Sequence, residues 1–257
     1  MVSDQPKSDL STQRNLSCSA ILREHLDIEA VRGRVDDALG LRLAYGYRLA
    51  LNTLERFDLL DRPIKVGVEP ARVPTLTEIM DRFSPERLSH LTDYQKPTIV
   101  IKPPHKTYQD YVQAFSIYHE HGVSNGPLIT SFGLRDPWSG VDYCAYIVEA
   151  AGKMSHRNDS LISSLKDRVK YRKGARRQGE CGMDRILYYL LSMQSITRGR
   201  MIDENHFTVL DAEPMVVNRY IPIGQCPKGQ PSIDWVLPDT VNGARGRFRR
   251  VLRGSVG

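Results

Sequence analysis

A mixed α/β fold is what three patterns in the chain predict. Apolar residues recur at intervals of three and four before residue 57, β-branched runs bounded by prolines occupy the centre, and short apolar runs broken by Pro214, Pro222, Pro227, Pro231 and Pro238 follow. Together they predict an N-terminal helical pair, a central sheet with at least one βαβ unit, and short antiparallel strands in the C-terminal part.

Residues 1–17 are polar and read as a flexible arm. From Ser19 to Phe57 the apolar positions Leu22, Leu26, Val31, Val35, Leu39, Leu49, Leu54 and Phe57 predict two helices, broken near Arg32-Gly33 or at Gly40. Ile64–Val68 is a strand candidate closed off by Pro70 and Pro74. Thr75 and Glu78 have capping-box spacing, and Ser84-Pro85 places Pro at the first turn of another short helix.

Thr98–Lys102 is a β-branched run of the kind found in a sheet buried on both faces, ended by Pro103-Pro104. Thr107 then caps a helix with Tyr108, Tyr111, Val112, Phe115 and Tyr118 on one face, and Pro127–Phe132 reads as the next strand. Strand, helix and strand in this order predict the βαβ unit. Between Val141 and Met154 a helical period competes with a strand alternation through Tyr143, Ala145 and Ile147, and the length favours helix. Helices are expected again at Ser160–Lys173 and around Met183, Ile186, Leu187 and Leu190, then strands at Phe207–Leu210, Met215–Ile221 and Ile233–Val236. The organisation read from this is a main α/β domain over 18–200, a β-rich extension over 201–242 and a mobile basic tail over 243–257.

Charge is the most informative property. The chain has 36 Lys and Arg against 30 Asp and Glu, a formal net charge of +6. The run KDRVKYRKGARR at 166–177 carries seven cations and one carboxylate, and Arg245–Arg253 carries five arginines and no acid. Setting aside these twelve cations and one carboxylate leaves 24 basic against 29 acidic residues, so two basic segments sit on an acidic remainder. On a helix ending at Gly174, Lys166, Lys170 and Lys173 form one row and Arg168 and Arg172 another, with Arg176 and Arg177 beyond the turn. The helix dipole favours cations there without any ligand. Nucleic acid would offset their mutual repulsion by counterion release, with Tyr171 placed to stack on a base. In the second segment Arg245, Arg247, Arg249 and Arg250 are the expected phosphate contacts. An acidic protein surface is the alternative partner, and a solvated face the plainest reading.

An alternative site rests on position in the fold. His105, Lys106 and Thr107 follow a predicted central strand and open a helix, where open α/β sheets bind anions, and Arg135 and Asp136 arrive from the next strand. Lys106, Thr107 and Arg135 would hold a phosphate or carboxylate, with His105 and Asp136 as the acid-base candidates of an enzyme. A rigid Pro-Pro turn with His105 on the surface accounts for the same residues. His119-Glu-His121 suggests a metal, but residues two apart on a helix point in opposing directions, so no metal site is expected. Cys144 lacks an assignable base, and Trp138 reads as a loop anchor.

Phosphate-binding Gly-rich loops, dinucleotide fingerprints, nucleophile elbows and kinase signatures are absent, and no cofactor is expected. Cys18, Cys144, Cys181 and Cys226 are scattered without a C-x-x-C pair, which with the lack of a signal-like or transmembrane segment predicts a cytoplasmic protein. The functional expectation is a non-enzymatic nucleic-acid-associated protein. Its alternatives are an enzyme acting on a small anion around His105 and an assembly protein docking acidic partners.

Overall fold

The computed structural model describes residues 27–60, 71–104, 106, 110, 111, 113–115, 142–151, 180–200, 202–210, 221–236 and 246–254. They form a mixed α/β protein in which helices pack against a four-stranded sheet, with a second four-stranded sheet beside it.

The second of the expected N-terminal helices is α1, Asp37–Arg56. Asp36 caps it by accepting from the Leu39 N–H at 2.9 Å, and Asp37 adds a carboxylate to the positive end of the helix dipole. The break before it is at Gly33, which adopts φ +73, while Gly40 lies inside the helix against Val31. At the far end Asp58 takes φ +54, and the Asp58 and Leu59 N–H groups bond back to the Glu55 and Leu54 carbonyls. That is a Schellman stop with Asp in place of the usual Gly. Leu43, Ala44, Ala50 and Leu54 are buried at 2% exposure or less, each leucine contributing about 2 kcal/mol by leaving water.

Two short helices follow as their start signals predict. In α2, Leu76–Asp81, the Thr75 hydroxyl accepts from the Glu78 N–H while the Glu78 carboxylate accepts from Thr75, a full capping box. In α3, Pro85–Ser89, Ser84 is the cap and Pro85 sits in the first turn.

Sheet A has the order β1-β2-β8-β3, from β1 (Pro97–Lys102), β2 (Cys144–Glu149), β3 (Glu180–Cys181) and β8 (Val251–Arg253). Every described pairing in it is antiparallel, with Pro97 opposite Glu149 and Val148 opposite Val251. Within the segment expected to be helical at 141–154, Cys144–Glu149 is therefore strand β2. Its residues 145–149 are buried on both faces, a pattern whose apolar positions fit a helical period by coincidence. The parallel partner expected for β1 at 127–132 lies outside the described residues, and the described neighbour of β1 is the antiparallel β2. Asp110, Tyr111 and residues 113–115 are helical, as the aromatic face predicts, and the Phe115 ring stacks on Phe57 at 6.2 Å.

Helix α4, Arg185–Thr197, is capped by Asp184, which accepts from the Leu187 N–H at 2.8 Å. Residues 186–195 are buried all round, so the helix is interior rather than half-exposed as its sequence period suggests. Both α1 and α4 pack on β1. Gly46 makes this possible: a Cβ there would lie 2.5 Å from Thr98 Oγ1 and 2.8 Å from the Ile99 nitrogen. The Gln194 side-chain amide locks the three elements, donating to the Ile99 carbonyl at 2.8 Å and to the Gly46 carbonyl at 3.3 Å.

Sheet B has the order β6-β5-β4-β7, from β4 (Phe207–Val209), β5 (Ile221–Gln225), β6 (Ser232–Val236) and β7 (Gly246–Arg247). Strands β4, β5 and β6 pair antiparallel as expected of this region, whereas β4 and β7 pair parallel. Gly224 of β5 abuts the Tyr188 ring of α4, where a Cβ would approach to 2.6 Å. Residues 246–253, expected in a mobile tail, instead supply strands to both sheets, and Val251 and Leu252 are buried at 0% and 1% exposure.

Among the described residues no helix is long and apolar enough to cross a membrane.

Candidate functional site

A cleft of about 730 Å³ opens where α1, the start of β1 and the end of α4 meet. Four cations line it: Arg42 from α1, Lys96 just before β1, and Arg198 and Arg200 flanking the end of α4. All four are exposed, and among the described residues none forms an ion pair. Among the described lining residues there is one carboxylate, Glu204. Tyr45 forms a wall, with the Arg198 guanidinium stacked 4.7 Å from its ring centre.

Local backbone geometry fixes three of these cations. Gly199 adopts φ +66, its N–H donates to the Ile196 carbonyl at 2.8 Å, and the Arg200 N–H donates to the Ser195 carbonyl at 2.9 Å. This Schellman turn sets the directions of Arg198 and Arg200 on either side of the glycine. Lys96 sits at φ +51, an uncommon conformation for a residue with a Cβ, and Pro97 then starts the strand. The helix dipole accounts for part of the preference for arginine at the end of α4, but it has no bearing on Arg42 or Lys96.

The C-terminal arginines divide in fate. Arg250 is half-buried, its guanidinium 5.7 Å from the centre of the Tyr94 ring, and its carbonyl accepts from the Glu149 N–H. Since the Ala150 N–H donates to the Lys96 carbonyl, Arg250 borders the end of the sheet that carries Lys96. Arg249 is 1% exposed and differs from the expected phosphate contact. Its guanidinium meets Asp203 Oδ1 at 2.6 Å, Thr208 Oγ1 at 2.8 Å, and the Glu149 and Ala151 carbonyls at 3.0 Å each. Every one of those partners is internal, so Arg249 ties sheet A to sheet B and has no face for a ligand. Arg247 lies in β7.

Lys106 is half-buried after β1. His105, Thr107, Arg135 and Asp136 lie outside the described residues, as do 166–177 and Arg245. The expected strand-end anion site and the first basic segment therefore have no described geometry. Cys144 is half-buried at the start of β2, its thiol 3.9 Å from the Asp142 carbonyl. Burial, reinforced by Asp203 and Glu204, pushes the Cys226 thiol up to about 12, which keeps it protonated and unreactive at neutral pH.

No family model, curated protein or solved structure matches the chain. The chemistry of the site itself is what bears on its role. Four cations without an ion-pair partner among the described residues, in a concave setting with an aromatic wall, suit a ligand that carries several negative charges. Sequence reasoning missed Arg42, Tyr45, Lys96, Arg198 and Arg200 because they are spread over the chain from α1 to the end of α4. The only local signal was Arg198-Gly-Arg200 at a helix end.

Proposed function

We propose that the protein binds nucleic acid without acting on it enzymatically, gripping phosphates through cationic surfaces. The observation that carries this reading is the cleft whose Arg42, Lys96, Arg198 and Arg200 face a single carboxylate and have no ion-pair partners among the described residues. Cations left unpaired in a concavity repel one another, and a polyanion relieves the repulsion while releasing its own counterions. The basic run at 166–177 and the exposed side of Arg250 extend the same chemistry in this proposal. Contacts of this kind position a strand without reading its sequence.

A salt titration with single-stranded oligonucleotide tests the proposal. Binding should weaken steeply with salt, and replacing the four cleft cations with alanine should flatten the slope of log K against log salt by about 3. No binding at low salt would overturn the reading, and capture of an acidic protein in place of oligonucleotide would replace it with protein docking.

A further inference from the structure

We infer that the cleft takes a phosphorylated end, a terminal phosphomonoester or a polyphosphate, in preference to the internal phosphodiesters of a strand. The inference rests on the proposed nucleic-acid reading and names the ligand group of its best-described site.

Three observations point this way. The first is shape: a strand running over a surface meets cations in a row, whereas Arg42, Lys96, Arg198 and Arg200 come from three separate elements and share one concavity. A volume of about 730 Å³ falls within the range of small-ligand pockets, room for about one nucleotide and its phosphates.

The second is charge. An internal phosphodiester brings one negative charge, while a terminal phosphomonoester brings about 1.5 to 2 near neutral pH and a triphosphate more. Among the described residues four cations outweigh Glu204 and the negative end of the α4 dipole, and the net positive charge that remains matches the more highly charged group.

The third is preorganisation. The Arg198 guanidinium carbon lies over the Tyr45 ring, 4.7 Å from its centre, and a guanidinium braced there can still offer a two-point contact to phosphate oxygens. The Gly199 turn directs Arg198 and Arg200, and the hydrogen bond from Ala150 to the Lys96 carbonyl anchors Lys96 to the sheet. Little backbone freedom remains to be lost on binding at these positions.

The test compares one short single-stranded oligonucleotide with a 5′-hydroxyl, the same strand with a 5′-phosphate, a nucleoside triphosphate and inorganic tripolyphosphate, each measured on the full chain. The 5′-phosphorylated strand should bind about ten-fold more tightly than the 5′-hydroxyl strand, and tripolyphosphate should compete for that difference. Arg198→Ala and Arg200→Ala should each erase most of the difference, while Arg48→Ala, an exposed cation of α1 outside the cleft, should leave it intact. All three positions are exposed, so an unchanged melting temperature separates lost binding from lost folding. Equal affinity for the two strands, with salt-dependent binding retained, would overturn the end preference and leave the nucleic-acid reading standing. Binding of tripolyphosphate or nucleoside triphosphate without either strand would keep the cleft as a polyphosphate site and overturn the nucleic-acid reading. Failure of all four ligands would overturn both.

Discussion

The Arg249 guanidinium sits 2.6 Å from the Asp203 carboxylate with side-chain exposures of 0% and 2%, a buried ion pair that joins the two sheets. Thr208 completes it, donating to the second Asp203 oxygen at 2.5 Å and accepting from Arg249 Nε. Removing one partner of such a pair strands the other charge in the interior. Arg249→Met is therefore expected to destabilise the fold by about 3–5 kcal/mol. Arg250→Ala, one residue along, loses among the described residues a cation–π contact with Tyr94 and should cost about 1 kcal/mol or less. Urea midpoints of the two variants check this, and similar losses for both would refute the assignment of Arg249 to the interior.

Gly46→Ala should be among the most damaging single-methyl insertions. The new Cβ would press on Thr98 Oγ1 and on the Ile99 backbone nitrogen, and backbone inside a sheet has little freedom to retreat. The expected loss is about 3 kcal/mol, accompanied by weakened Gln194 bonds to Ile99 and Gly46 as α1 is pushed from β1. Thermal melts report the stability. Hydrogen exchange in α1 reports the displacement, and unaltered protection there would contradict the close approach.

At Gly199 the space is open but the backbone is not, since φ is +66 and a methyl group added at its Cα would meet nothing within 4 Å. Gly199→Ala should cost about 1–2 kcal/mol from the left-handed conformation alone. The charge of the cleft is unchanged by this substitution, so any additional fall in affinity for a phosphorylated strand measures how far the turn preorganises Arg198 and Arg200. Affinity equal to wild type at full occupancy of the folded state would show that the turn contributes stability only.

Glu78 supplies the pH dependence. The Arg72 side chain, then the Thr75 N–H and hydroxyl, bind its carboxylate and lower it from 4.5 to about 2. Because the folded value lies below the unfolded one, the carboxylate stabilises the protein fully above its unfolded value, and that contribution fades as pH falls toward about 2. Glu78→Gln keeps the capping-box oxygen but not the charge. The stability gap between wild type and this variant should be widest near neutral pH and close between about 4.5 and 2. A constant gap across that window would show that geometry rather than charge sets the contribution.

Local signals in the sequence were legible where the physics is local. Thr75 with Glu78 and Ser84 with Pro85 satisfy backbone donors within one turn, so their spacing alone located α2 and α3. The stop of α1 at Asp58 carried no comparable mark, because aspartate rather than glycine takes the left-handed position. Strand β2 was misread because burial on both faces removes the alternation that distinguishes a strand, leaving length as the arbiter. In Arg-Gly-Arg-Phe-Arg-Arg the composition suggested a uniform basic surface. Arg249 is buried by its partners Asp203, Thr208, Glu149 and Ala151 while Arg250 stays half-exposed, a division set by tertiary packing that composition does not carry. The cleft was invisible for a different reason: Arg42, Lys96 and Arg198 are brought together only by the packing of α1 and α4 on β1.

The position of β8 between β2 and β3 has a consequence for synthesis on the ribosome. Arg249 reaches a carbonyl 100 positions earlier, and Arg87 reaches the Arg253 carbonyl across 166. A nascent chain can form the capped helices as they emerge, yet sheet A stays divided until residues 251–253 leave the exit tunnel and enter its middle. Until then β2 presents a bare apolar edge, the kind of surface to which holdase chaperones and stray strands attach. Emergence of residues 251–253, rather than the appearance of any one helix, is thus the moment at which this protein becomes safe from its neighbours.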